Sequence, residues 1–309
     1  MSRYKLRANY DIENIDSQKM DGTVIVDVPM LSNGELNYGL SHIKKKLYEE
    51  NVYPSEIGFD IMSLATMVYM ADTRIERVVH GQDSWTREIE LEIPVSNVEI
   101  WDSQIRTVER MLKFLTGDLW KITLSSRAWQ FNNLEEVREK SNKYDEVSLF
   151  SGGMDSLIST INLMENKKNT LLISHAGEGL TKNAQKNIVN KFDLLYPDVL
   201  HTWLDLWMVF PRDYIPAGGN DNNTRSRSFL FIGYALFAMT GMDNINELLV
   251  PENGLIALNV PLDETRVGSF STRTTHPFYL SLWNELLVGL GLNLSLIHIS
   301  EPTRRSYIS

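Results

Sequence analysis

The chain of 309 residues contains no cysteine. That excludes disulfides, thiolate zinc sites and a cysteine nucleophile, and it fits a reducing compartment. No apolar run reaches the roughly 20 residues that a membrane-spanning helix needs. The opening stretch MSRYKLRANYDIEN lacks the apolar core of a secretory signal. These absences lead us to expect a cytoplasmic protein with no membrane attachment. Positive charge is also short: 30 Lys and Arg stand against 40 Asp and Glu, a net charge of −10. Broad phosphate-backbone binding is thereby disfavoured, although a local basic patch can still hold RNA. Two nucleotide motifs are missing too. There is no GxxxxGKS/T, and no GxGxxG opens a helix.

What is present is a globular balance, 43 % apolar and 23 % charged, over a length that suits two domains. We divide it into an α+β recognition domain (1–131), a charged linker (132–145), an α/β domain (146–293) and a tail (294–309). In the first domain TVIVDVPM (23–30) alternates like a strand, and DIMSLATMVYMA (60–71) is apolar at helical spacing. REIELEIPV (87–95) sets Ile89, Leu91, Ile93 and Val95 on one face of a strand. SQIRTVERMLKFLTGD (103–118) sets Ile105, Val108, Leu112 and Leu115 on one helical stripe, with Gly117 as its stop. WKITL (120–124) closes the domain as a strand, and no cluster of ionisable groups there suggests chemistry. Trp129 and Phe131, beside the linker, look like exposed aromatics of a docking surface.

The second half alternates short strands and helices, which predicts a parallel sheet with helices on both faces. The strands are EVSLF (146–150), NTLLISH (169–175), VLHTWLDLW (199–207) and NELLVPEN (246–253). Between them, TKNAQKNIVNKFDLLY (181–196) places Ala184, Ile188, Phe192 and Leu195 on one face, and SRSFLFIGYALFAMT (226–240) is very apolar. Trp203 and Trp207 read as core residues of the third strand. Ligands of such sheets sit beyond the carboxyl ends of the strands. The tail is a special case. LSLIHISEPTRRS (294–306) closely resembles translated sequencing-adapter DNA, so the expectation is a non-native tail on a chain that continued past about Asn293.

At the first strand end stands SGGMDS, residues 151–156. Gly152 and Gly153 let the backbone bend tightly and approach a ligand. The helix that follows opens with free N–H groups and the positive end of its dipole. Ser151 and Ser156 add hydroxyls, and Asp155 suits a Mg²⁺ that is itself held by phosphate. The parts make a site for pyrophosphate or a triphosphate.

The string resembles the PP-loop of the ATP pyrophosphatases, over roughly residues 145–260. With NNTRSRSFLF (222–231), PENGLIALNVPL (251–262) and RVGSFSTRTTHPFYL (266–280), the chain looks like the QueC-like (7-cyano-7-deazaguanine synthase-like) family, and most like its QatC branch in Qat-type antiphage defence. The resemblance implies a Rossmann-like PP-loop domain, with ATP and Mg²⁺ as cofactors. It implies an ATP-dependent carboxylate–amine ligase that adenylates a small acid, a 7-deazapurine carboxylate in QueC, and releases pyrophosphate. The acceptor is ammonia or an amine on a partner protein encoded in the same defence operon; a nucleic acid is not favoured. Ser151, Asp155 and Ser156 become the catalytic set, with Asp155 on the metal. Ser151, Gly152, Gly153, Met154, Asp155, Ser156, His175, Arg225 and Arg227 become ATP-binding. Glu252, Asn253, Arg273, Thr275 and His276 become substrate-binding. His175, at the end of its strand, either stacks on adenine or has no role. QueC enzymes carry a four-cysteine zinc site, which a cysteine-free chain does not have. Two other readings stand beside this one: a nucleotide-binding subunit without turnover, and a PP-loop enzyme that modifies tRNA.

Overall fold

The computed structural model describes residues 3–132, 142–176, 179–222, 225–252 and 273–299. The first half builds β1 (Arg3–Asn9), β2 (Asp16–Met20), β3 (Thr23–Pro29), β4 (Leu31–Ser32), β5 (Glu35–Leu36), α1 (Leu40–Glu49), α2 (Glu56–Arg74), α3 (Arg77–His80), β6 (Glu88–Val95), α4 (Val98–Asp102), α5 (Ile105–Thr116) and β7 (Leu119–Ser126). The second half builds β8 (Glu146–Leu149), α6 (Met154–Glu165), β9 (Thr170–Ala176), α7 (Gly179–Leu195), β10 (His201–Trp207), α8 (Arg227–Met239), β11 (Glu247–Pro251), α9 (Pro277–Gly289) and β12 (Ser295–Ile299).

The first sheet runs β2-β3-β1-β6-β7, and only β2 is antiparallel to its neighbour. We expected α+β here from the sequence; the pairing is instead mostly parallel, with β1 and the short elements 31–49 adding to what periodicity alone revealed. β6 alternates half-buried and buried along its whole length, as its sequence demands. On the inner face stand Tyr4, Leu6, Ile89 and Leu91. On the outer face Lys5 pairs with Glu90 at 3.1 Å and Glu92 at 2.9 Å, and Arg7 pairs with Asp27. Opposite charges on neighbouring strands make that face compatible with water.

The second sheet runs β10-β9-β8-β11-β12, all parallel. In chain order this is 3-2-1-4-5, a doubly wound arrangement whose direction reverses between β8 and β11. Ser295–Ile299, within the presumed tail, is the edge strand beside β11.

α2 is capped by Ser55, whose hydroxyl accepts from the Gly58 N–H at 3.1 Å. It is buried on nearly every side, because one face meets the first sheet and the other lies along α8. At the crossing Gly233 of α8 has no room for a Cβ: one would lie 2.9 Å from the Cβ of Ala65. A single apolar core therefore runs from the first sheet through α2 and α8 to the second sheet. Phe131 belongs to that core, stacked on Phe59 at 4.8 Å, and Trp129 stacks on Tyr10 at 5.5 Å. Phe131 is a packing residue and not the exposed aromatic that the sequence suggested, whereas Trp129 is only partly buried. A smaller core of Phe150, Leu172 and Phe192 lies under α6 and α7.

On α7 the buried stripe passes through Gln185, Ile188 and Phe192, while Ala184 and Leu195 face solvent. The stripe is turned by one residue from the predicted one. Trp203 packs in the smaller core, but Trp207 is 41 % exposed at the sheet edge, under the Lys182 ammonium.

Polar contacts join the halves as well. Asp118, following α5, accepts from Arg77 at 2.6 and 3.0 Å and from Arg87 at 2.6 Å. Arg87 also pairs with Asp72 of α2. From the second half, Ser226 N–H donates to Asp72 at 3.0 Å and Asp221 accepts from the Arg77 N–H at 3.2 Å. The glycine-containing stretch 216–222 is tied to the first half by polar contacts. Gly218 C=O accepts from Glu76 N–H at 2.7 Å, and Asp221 N–H donates to Thr73 C=O at 3.0 Å.

Candidate functional site

The SGGMDS loop lies where the sheet order reverses. β8 ends at Leu149, Phe150 is fully buried, and Ser151 emerges at the surface. Gly152 turns with φ +81°, a conformation that L side chains resist. A Cβ there would also meet Gln185 Cγ at 2.9 Å. Gly153 differs: its φ is −81° and a Cβ would find only Ser151 Oγ, at 3.4 Å. Of the two glycines, the turn requires the first.

Gly153 is the N-cap of α6, and its side chain can offer the helix nothing. The first-turn amides are therefore left for other partners. Within the loop Gly152 N–H donates to Ser156 Oγ at 3.2 Å, and Gly153 N–H donates to Ser151 Oγ at 3.2 Å. The two hydroxyl oxygens are 3.2 Å apart, and Ser156 donates to Gly153 C=O at 3.0 Å. Serine oxygens thus occupy amide donors that a phosphate oxygen would satisfy more strongly. Met154 is 71 % exposed and adds no polar group. Asp155 sits in the first turn of α6, where the helix dipole favours a carboxylate.

Just past the end of β11 is Glu252. Burial first, and then the Asp155 charge, push its carboxyl up, with Thr275 acting the other way. Asp155, Glu252 and Thr275 are thereby brought together beside the loop. Among the described residues no group of three or more acidic or histidine side chains converges on one point. Asp155 and Glu252 are the side chains here that could hold a cation.

The other expected site residues make contacts with the protein itself. His175 is fully buried, its ring edge-on to Tyr69 at 5.4 Å, with neither ring nitrogen hydrogen-bonded. It leaves no face open to a base. Burial, with the Arg227 charge behind it, pushes its pKa down to about 4. Arg227 donates to the His175 carbonyl at 3.0 Å, at the end of β9. Arg225 donates to Thr116 C=O at 2.7 Å and stacks over Trp85 at 4.8 Å. Arg273 donates to Phe114 C=O at 2.9 Å. Both guanidiniums satisfy terminal carbonyls of α5, where a helix carries its negative end. His276 caps α9, its Nδ1 accepting from Phe278 N–H at 3.1 Å. Asn253 lies outside the described residues.

Gln185 escaped the sequence reading. It is buried and donates through Nε2 to Ser151 C=O at 3.0 Å. A polar residue in helical phase with Ile188 and Phe192 was the available signal.

Comparison with protein-family models, with curated proteins and with solved structures finds no match for this chain.

Proposed function

We propose that the chain binds ATP at the SGGMDS loop and uses it to adenylate a carboxylic acid, as an AMP-forming carboxylate–amine ligase of QueC-like type. The observation that carries this reading is the loop's position: a Gly-bearing turn with inward amides, opening a helix, at the reversal point of a doubly wound parallel sheet. Anions of the phosphate type bind such helix openings.

In the proposed reaction an oxygen of the acid attacks the α-phosphorus of ATP. The bond to the β-phosphate oxygen breaks, pyrophosphate departs, and an acyl-adenylate remains. An amine then attacks the acyl carbon and releases AMP. No protein nucleophile is needed. The loop amides, Ser151 and Ser156 hold the β- and γ-phosphates and neutralise charge on the departing group. Each charge-assisted hydrogen bond of this kind contributes about 1.5–3 kcal/mol. Mg²⁺, when bound, would supply further neutralisation, and Asp155 and Glu252 are the side chains that would hold it. The acid we propose is a planar heterocyclic carboxylate of the 7-deazapurine class, in keeping with the family resemblance.

A second reading is a nucleotide-binding subunit without turnover. It draws support from Arg225, Arg273 and His276, whose present contacts are structural. One experiment separates the two: incubation of the full chain with ATP, Mg²⁺ and 7-carboxy-7-deazaguanine, with and without ammonia. AMP and pyrophosphate are the expected products, and Asp155→Ala abolishes them while the protein stays folded. Binding of ATP without cleavage supports the second reading; ADP with phosphate, or no binding, overturns the first.

A further inference from the structure

We propose that Gln185 is a positioning residue that holds the Ser151–Gly152 peptide in the orientation an anion needs; its choice of ligand, though not its role in the loop, rests on the nucleotide reading above. In a trans peptide the C=O and the next N–H point in opposite directions. Gln185 reaches from α7 and donates to the Ser151 carbonyl at 3.0 Å. The Gly152 N–H is thereby turned the other way, into the loop, where it meets Ser156 Oγ at 3.2 Å. Rotating this peptide by half a turn would aim a carbonyl oxygen at the anion in place of an N–H.

The loop needs such a latch. Gly152 tolerates both signs of φ, so the peptide before it can flip with little steric resistance. Gln185 supplies both restraints against this. Its amide holds the carbonyl, and its Cγ lies 2.9 Å from where a Gly152 Cβ would stand, so the turn rests directly on the glutamine stem.

Packing does not account for a glutamine here. The position is fully buried beside an apolar stripe, and its Oε1 has no hydrogen-bond partner. A leucine would fill the same space without leaving a buried acceptor unmatched. What a leucine lacks is the donor.

The test uses the full chain, inorganic pyrophosphate as probe, and two near-isosteric variants. Gln185→Met keeps the volume and removes the donor. Gln185→Glu keeps the shape but donates only when protonated, which burial favours at mildly acid pH. Calorimetric titration should show pyrophosphate bound about tenfold more weakly by Gln185→Met, a loss on the scale of one hydrogen bond to a polar group. Gln185→Glu should bind weakly at pH 8 and regain most of the affinity, relative to wild type, at pH 5.5. A filler role would give no such recovery. Binding by Gln185→Met within twofold of wild type overturns the proposal. If wild type itself binds no pyrophosphate, the nucleotide reading falls, and amide hydrogen exchange over residues 149–156 then decides the positioning role. Faster exchange in Gln185→Met than in wild type upholds it, and identical exchange overturns it.

Discussion

At the junction of the two halves Asp72, Asp118 and Asp221 are interleaved with the guanidiniums of Arg77 and Arg87; at the mouth of the SGGMDS loop Asp155 and Glu252 face each other, and among the described residues neither makes an ion pair. Both places are wholly or partly withdrawn from water, so both carry a desolvation cost. At the junction that cost is met by neighbours. Burial pushes the Asp118 carboxyl up, but Arg87 and Arg77 overcome it and hold the carboxyl below the usual range. At the loop, among the described residues, Thr275 is the group that opposes the repulsion, and the Glu252 carboxyl stays raised. Charge that is internally matched serves cohesion. Charge that is left unmatched beside a cradle of amides suits an incoming cation and phosphate.

The junction should be the more fragile of the two. Arg87→Met leaves Asp72 and Asp118 with part of their pairing gone inside the protein. Removing one partner from a buried ionic group typically costs about 3–5 kcal/mol. Urea unfolding should show a loss of that size, and a loss below about 1 kcal/mol would mean that the cluster is better solvated than its burial indicates.

His175 sets the next largest effect, on the sheet beside the loop. Its native pKa is about 4, against 6.5 for the free imidazole. The unfolded chain therefore takes up a proton that the native chain refuses. The stabilising contribution is fully present above pH 6.5 and is lost as pH falls from there to about 4, by roughly 3 kcal/mol from the size of the shift. His175→Phe should lose correspondingly less stability between pH 7.5 and pH 4.5. Parallel pH profiles for the two proteins would show that the imidazole is not the group responsible.

The elements that carry the site were legible in the sequence because their patterns are local. Alternation in 87–95, the apolar helix 226–240, and the strand–SGGMDS–helix order all survive into the fold. What was not legible depends on partners far along the chain. A sequence cannot say that Arg225 and Arg273 reach the end of α5, more than a hundred residues away, so arginines before a helix looked free for a ligand. Nor can it say that Asp72 and Asp118 meet on the Arg87 guanidinium. Contacts between the two halves are of the same long-range kind. α2 of the first half and α8 of the second bury each other's apolar surface, a contact that no local pattern announces. Gln185 was missed because polar residues on a surface helix are usually solvated, and only the contact with Ser151 distinguishes it.

The two glycines give a finer comparison within the loop. Gly152→Ala must hold a methyl at φ +81° and against Gln185, at a cost of roughly 1–2 kcal/mol from the backbone alone. It should also abolish pyrophosphate binding. Gly153→Ala, at φ −81° with only Ser151 Oγ nearby, should lose less than about 1 kcal/mol and bind pyrophosphate close to normally. Equal effects of the two on stability and on binding would refute the left-handed turn as the feature that shapes the cradle.

The smallest expected effect is also the one that separates the two charged regions in sign. At the junction every removal should destabilise, whereas at the loop mouth removing a charge should help. Glu252 has a raised native pKa, so the native state binds its proton more tightly than the unfolded chain does. Stability therefore rises as pH falls through the native pKa towards 4.5, and at neutral pH the ionised Glu252 works against the fold. Glu252→Gln should stabilise the ligand-free protein at pH 7.5. The carboxyl is partly solvent-screened, so the gain should stay below about 1 kcal/mol, a rise of a few degrees at most in Tm. Mg²⁺ with pyrophosphate should raise the Tm of wild type more than that of Glu252→Gln, because only wild type has the second carboxylate to neutralise. A variant that is less stable than wild type at pH 7.5, with Mg²⁺ and pyrophosphate acting equally on both proteins, would place Glu252 with the matched charges of the junction and remove the contrast.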